Sequence, residues 1–198
     1  MDESLGRAFP ARLATVVTSV ARSLPDARLG ATGSVTASNS RSWPGLVVAG
    51  EPVVIPARVY YPELSPSVIG GLSHLEAAVA AAVYSRHHDG FVRQRQLGTL
   101  LDADEPWTVP FIVQLLGEYV IQICRDIERF ARTALPARPA MQESLSAFFR
   151  DNCCFAELTR RRAISYWSCY YRDQFASPDA YPALAALAML RSQDILTV

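Results

Sequence analysis

Apolar residues recur at helical spacing over most of this chain, and the places where that spacing fails mark its other elements. Leu13, Val16, Val17, Val20 and Leu24 share one stripe, which predicts an amphipathic helix over residues 8–24, stopped by Pro25. The next stretch, residues 30–42, is rich in Gly, Ser, Thr and Asn without any period and reads as a mobile loop. Residues 43–48 and 53–61 are β-branched and aromatic runs around Ala49-Gly50-Glu51-Pro52, the signature of a β-hairpin. Pro56 makes its second strand an edge or bulged strand, because a proline cannot donate to a ladder. A lone hairpin is marginal in water, so this one is expected to pack on the helices that follow.

Beyond the Pro- and Gly-containing residues 62–71 the helical period is nearly continuous. Ser73 with Glu76 three residues on forms a capping box, opening a helix with Leu75, Val79 and Val83 on one face as far as Arg86. His87-His88-Asp89-Gly90 breaks it, and Asp89 caps a second helix carrying Val92, Leu97, Leu100 and Leu101. A third, over residues 107–116, is apolar nearly all round and must be enclosed; Gly117 ends it. A fourth carries Val120, Ile123, Cys124, Ile127 and Phe130 and stops before Pro136. Helices over residues 141–150, 155–175 and 179–191 complete the chain, the last opening at Ser177-Pro178.

Asp89-Gly90-Phe91-Val92-Arg93 and Gly117-Glu118-Tyr119-Val120 punctuate two successive helical hairpins over residues 86–130, and Val92 and Ile123 lie 31 residues apart at equivalent places. Gly90-Phe91-Val92-Arg93 followed by Val109-Pro110-Phe111-Ile112-Val113-Gln114-Leu115-Leu116 resembles the hairpins of HEAT-repeat proteins, in which an acidic residue sits in the turn and a Val-Arg pair opens the second helix. Asp89 and Val92-Arg93 match; the second unit has Glu118 in its turn but Ile123-Cys124 where Val-Arg belongs. The resemblance implies a right-handed αα-superhelix used for binding protein or nucleic acid. The expected fold is therefore mainly α: HEAT-like stacked helical hairpins with an N-terminal helix and a small β-hairpin. Residues 1–70 form the N-terminal helix, flexible loop and hairpin packed on the main body, and residues 71–198 the helical domain.

Composition adds exclusions. The 198 residues carry 19 basic and 19 acidic side chains, so no overall field steers the chain toward nucleic acid or an anionic membrane. Every basic side chain is Arg, which together with abundant Ala reads as the coding bias of a GC-rich bacterial genome rather than as phosphate recognition. The cysteines at 124, 153, 154 and 169 lack C-x-x-C spacing and are expected to be reduced thiols. Acidic residues open the chain where a secretory signal would be basic, and no apolar run approaches the roughly 18 residues that span a bilayer, so a cytoplasmic location is expected.

No catalytic or cofactor signature rises above packing and capping. His87-His88-Asp89 is the one place where potential metal ligands adjoin, but neighbouring residues rarely converge on one centre, and no metal or cofactor is expected there; a metal-dependent enzyme is the least favoured reading. Asp89, Arg93 and Glu118 are expected to be structural groups of the hairpin turns. The candidate binding residues are Arg160, Arg161, Arg162, Tyr166, Tyr170 and Tyr171, since no other segment gathers arginines and tyrosines together. Three consecutive arginines cannot form one patch on a helix, so at least one is expected to pair internally with Glu157 or Asp173. A non-enzymatic module binding another protein is the expected function, with nucleic acid as the alternative partner and no membrane.

Overall fold

The computed structural model describes residues 3–25 and 42–192; the expected loop lies, up to residue 41, outside them. The fold is mainly α, and the described residues contain one two-stranded antiparallel sheet. The chain divides into two compact units, Met1–Ala103 and Asp104–Val198.

The first unit holds α1 (Glu3–Gly6), α2 (Ala14–Ser23), β1 (Ser42–Val48), β2 (Glu51–Pro56), α3 (Pro66–Gly70), α4 (His74–Tyr84) and α5 (Gly90–Asp102). Pro10 precedes a 3-10 turn over Ala11–Leu13, so α2 itself starts later than the apolar stripe alone suggests. The strands pair Val48 with Glu51 across Ala49-Gly50, and both turn residues have positive φ, 51° and 81°. Such a two-residue turn matches the right-handed strand twist. The register slips between Trp43 and Leu46, where Gly45 has φ 78°, so the bulge falls on β1. The second strand ends at Pro56 rather than running on to Tyr61. Beyond it, Val59 makes an isolated bridge to His87 through Val59 N to Arg86 O (2.9 Å) and His88 N to Val59 O (3.1 Å). Short α3, capped by Ser65 with Pro66 in its first turn, lies in the segment read from sequence as a break.

Two contacts explain why the N-terminal elements and the hairpin belong with α4 and α5. The capping box of Ser73 and Glu76 forms as expected, with Glu76 Oε2 accepting from Ser73 N at 2.9 Å. Its Oε1 accepts from Ser19 Oγ at 2.7 Å and so ties α4 to α2. Buried Arg86 donates to the carbonyls of Pro56 (3.3 Å) and Ala57 (2.9 Å), fixing the end of β2 at the α4–α5 turn. Residues Ala78–Tyr84 are buried all round α4, a wider surface than the single predicted stripe.

The second unit holds α6 (Val109–Leu115), α7 (Ile121–Thr133), α8 (Pro139–Asp151), α9 (Cys153–Tyr166) and α10 (Pro182–Arg191). As its nearly all-apolar sequence requires, α6 is wholly buried, Gln114 included; it touches α7, α8 and α9. The most extensive packing of α7 is with α10. Both helices bury apolar side chains, Ile123, Cys124 and Ile127 on α7 and Ala183, Ala186, Leu187 and Leu190 on α10, and the small alanines allow close approach. The predicted long helix over residues 155–175 is α-helical only to Tyr166 and then widens into a π turn over Trp167–Tyr171. Trp167 Nε1 closes this end by donating to Phe175 O at 3.0 Å. Ser177-Pro178 starts a 3-10 turn, and Pro182 starts α10.

Candidate functional site

The predicted binding residues fall on α9 and its π turn. At about 100° per residue, Leu158, Arg162 and Tyr166 share a stripe that points about 200° away from Ala156, Arg160 and Ile164. The helix thus has two separate faces, and the arginine triplet is divided between them. Arg160 donates from Nε to Glu157 Oε2 at 2.9 Å and from Nη2 to Oε1 at 3.1 Å. Arg161 reaches the same carboxylate, Nε to Oε1, at 3.0 Å. Glu157 is held down to a pKa of about 2, by its hydrogen bond from Arg160 first and that from Arg161 second. Internal pairing with Glu157, expected of at least one arginine, therefore engages two, yet both stay accessible, with side chains 46% and 72% exposed. Arg162 is half-buried. Asp173 forms no ion pair with the triplet among the described residues.

The tyrosines separate by role. Tyr170 is 72% exposed, and its ring lies 6.2 Å from that of half-buried Tyr166. Tyr166 in turn lies 6.1 Å from Tyr119, which is 53% exposed in the turn between α6 and α7. These three rings form a surface ladder. Tyr171 is different: it stacks on buried Tyr181 at 5.3 Å, touches Phe175, and donates its hydroxyl to Tyr119 O at 2.6 Å. Burial raises its pKa, with the Cys124 thiol adding to the effect. It anchors the ladder rather than forming its surface. Cys124 is buried, with burial pushing its thiol up to about 12, and Tyr181 lies beside it. Cys153, Cys154 and Cys169 are exposed free thiols.

Tyr119 and Leu158, the latter also exposed, were missed as candidates. The available signal for Tyr119 was its place directly after the helix-ending Gly117-Glu118, where an aromatic has little chance to reach the core. The π turn had no signal; it sets the direction of Tyr170 and Tyr171, and such turns frequently accompany functional sites.

Of the structural candidates, Asp89 and Arg93 lie in the first unit and Glu118 in the second. Asp89 caps α5, accepting from Phe91 N at 2.8 Å. Buried Arg93 donates from Nη1 to the carbonyls of His87 (2.7 Å) and His88 (2.9 Å), holding the α4–α5 turn. His87 spends both ring nitrogens on this turn, Nε2 on Tyr61 O at 3.0 Å and Nδ1 on Asp89 N at 3.1 Å. Its pKa is lowered, chiefly by burial and then by His88, and the neutral ring with its proton on Nε2 satisfies both contacts. His88 stacks on Tyr60 at 5.2 Å. Among the described residues no three His, Cys, Asp or Glu side chains gather in a way that could hold a metal ion. Glu118 is buried, and its carbonyl faces the Cys124 thiol at 4.0 Å.

No described helix is long and apolar enough to cross a membrane. No protein-family model, curated protein or solved structure matches this chain.

Proposed function

We propose that this protein is a non-enzymatic interaction module that binds another protein through the tyrosine ladder of its second unit. The observation that carries the reading is the run Tyr119, Tyr166 and Tyr170, with two of the three rings mostly exposed and the whole held from beneath by Tyr171. Exposed tyrosines offer large contact area at low side-chain entropy and dominate many interfaces. Arg161, whose side chain is 72% exposed on the same helix, favours an acidic partner surface. A nucleic-acid partner is less well supported, because the chain carries no net charge. A helical-repeat scaffold is supported by the packed α4–α5 pair with Asp89 and Arg93 at its turn, and less by the second unit, where α7 turns to α10.

The experiment is affinity capture from the source cell with wild-type protein and with Tyr170→Ala/Arg161→Glu. The expected result is one or more proteins retained by the wild type and lost from the variant while its melting temperature holds. Capture unaffected by the variant, or a retained species that is nuclease-sensitive and released steeply by salt, would overturn the reading.

A further inference from the structure

The opposite face of α9 borders a cleft of about 210 Å³ within the second unit, closed on its other sides by α10 and the 3-10 turn Pro178–Ala180. Its apolar lining includes Ile164, Leu184 and Leu187, and Arg160 and Arg191 line it as well. Arg160 commits Nε and Nη2 to Glu157, and its Nη1 makes no hydrogen bond among the described residues. Arg191 has no ion pair or hydrogen bond among the described residues; its guanidinium rests 6.0 Å from the Phe149 ring centroid. Its place in the last turn of α10 suits the helix dipole, an interaction that engages no N–H group of its own. Asp179 also lines the cleft, and Glu157 is shared by Arg160 and Arg161, so with Arg191 three cations face two carboxylates.

We infer that this cleft binds a small anionic amphiphile, a monocarboxylate with a short aliphatic chain. The chain covers Ile164, Leu184 and Leu187, and the carboxylate takes charge-assisted hydrogen bonds from Arg191 and from Nη1 of Arg160. The volume lies below the roughly 300–1,000 Å³ of sites for drug-sized ligands, which limits the occupant to a single chain of about eight carbons. A neutral alcohol would leave the guanidiniums unpaired, and an amine would meet them with like charge. The site is independent of the tyrosine ladder, since it lies on the far side of α9.

The test is titration of the full chain at neutral pH with octanoate, 1-octanol and octylamine, read by calorimetry and by shifts of the Ile164, Leu184 and Leu187 methyl resonances. For a ligand of this size the expected octanoate dissociation constant is on the order of 1 mM. Octanol should bind about tenfold more weakly and octylamine more weakly still. Arg191→Gln should weaken octanoate about tenfold and leave octanol unchanged, whereas Asp179→Asn should tighten octanoate a few-fold. Ala188→Trp, which fills the cleft from an exposed position, should abolish both. All three substitutions are at exposed sites, so circular dichroism should show an unchanged fold. Octylamine binding as tightly as octanoate, octanoate binding indifferent to Arg191→Gln, or methyl shifts outside the cleft would each overturn the inference.

Discussion

If Tyr171 is the anchor of the ladder and Tyr170 its exposed surface, the two adjacent tyrosines should respond oppositely to truncation. Tyr171→Phe removes only the 2.6 Å hydrogen bond to Tyr119 O, worth about 0.5–1.5 kcal/mol and toward the lower end here, because water can reach that carbonyl. Tyr171→Ala also removes the ring stacked on Tyr181 and packed on Phe175. A fully buried aromatic costs about 3–5 kcal/mol when cut to Ala, and Tyr171 is half-buried, so about 2 kcal/mol is expected. Tyr170→Ala touches a side chain that is 72% exposed and should change stability by no more than about 0.5 kcal/mol. For a chain of this length each kcal/mol is worth about 2–4 °C in melting temperature. Calorimetry should therefore rank the losses Tyr171→Ala, then Tyr171→Phe, then Tyr170→Ala, with the last close to wild type. Partner capture should rank Tyr170→Ala above Tyr171→Phe in its effect. A melting temperature lowered by Tyr170→Ala as much as by Tyr171→Ala would refute the reasoning, since Tyr170 would then be a packing residue.

Two further outcomes concern the first unit. Ala49 holds φ 51° in the hairpin turn, so Ala49→Gly should stabilise by about 0.5–1 kcal/mol, the left-handed penalty less the entropy of an added glycine. Gly50→Ala, at φ 81° with open space around the new Cβ, should cost about 1–2 kcal/mol through the backbone alone; equal urea midpoints for these variants and wild type would refute the turn assignment. Glu76 is held at about 2, below its ordinary 4.5, by Ser19 first and then Ser73, so the stability it contributes is present above about pH 4.5 and lost as pH falls toward 2. Acid titration of Glu76→Gln against wild type should show the two melting curves converging over that window; a constant difference would show that the carboxylate charge is not involved.

How much of this was legible in the sequence follows from how local each determinant is. The capping box at Ser73 and Glu76, the Asp89 cap and the Ala49-Gly50 turn are set by residues within a few positions of one another, and each forms where its pattern lies. The end of β2 was not local: Arg86, some 30 positions on, takes the carbonyls of Pro56 and Ala57 and ends the strand the β-branched run had extended. The division at Ala103 is likewise a product of long-range ties such as Ser19 to Glu76, which bind α2 to α4 across a change in composition. In the second unit, the apolar face of α7 was readable, but its main partner was not, because a stripe of Ile and Phe fits α6 or α10 equally well on periodicity alone. The site was half readable. Residue types placed arginine and tyrosine on one helix, whereas exposure, which separates Tyr170 from Tyr171, depends on a π turn that no periodicity announces.

That turn also explains how one helix can present two independent surfaces. Along an α-helix, residues four apart drift by about 40° per step, so a stripe such as Leu158, Arg162 and Tyr166 winds steadily around the axis. Continued as α-helix, the stripe would carry Tyr170 further round, toward the side on which Arg160 lines the cleft. The wider π turn slows this rotation and keeps the Tyr170 ring beside Tyr166, while Trp167, bonded to Phe175 O, secures the chain as it leaves. Glu157 then sits between the two faces and draws Arg160 and Arg161 to itself, while Arg191, which lies over the Phe149 ring, lines the cleft. The division carries a physical consequence: substitutions at Tyr170 and at Arg191 act on surfaces with no shared contact, and their effects should add. Coupling between them would mean that α9 shifts as a body when either face is filled.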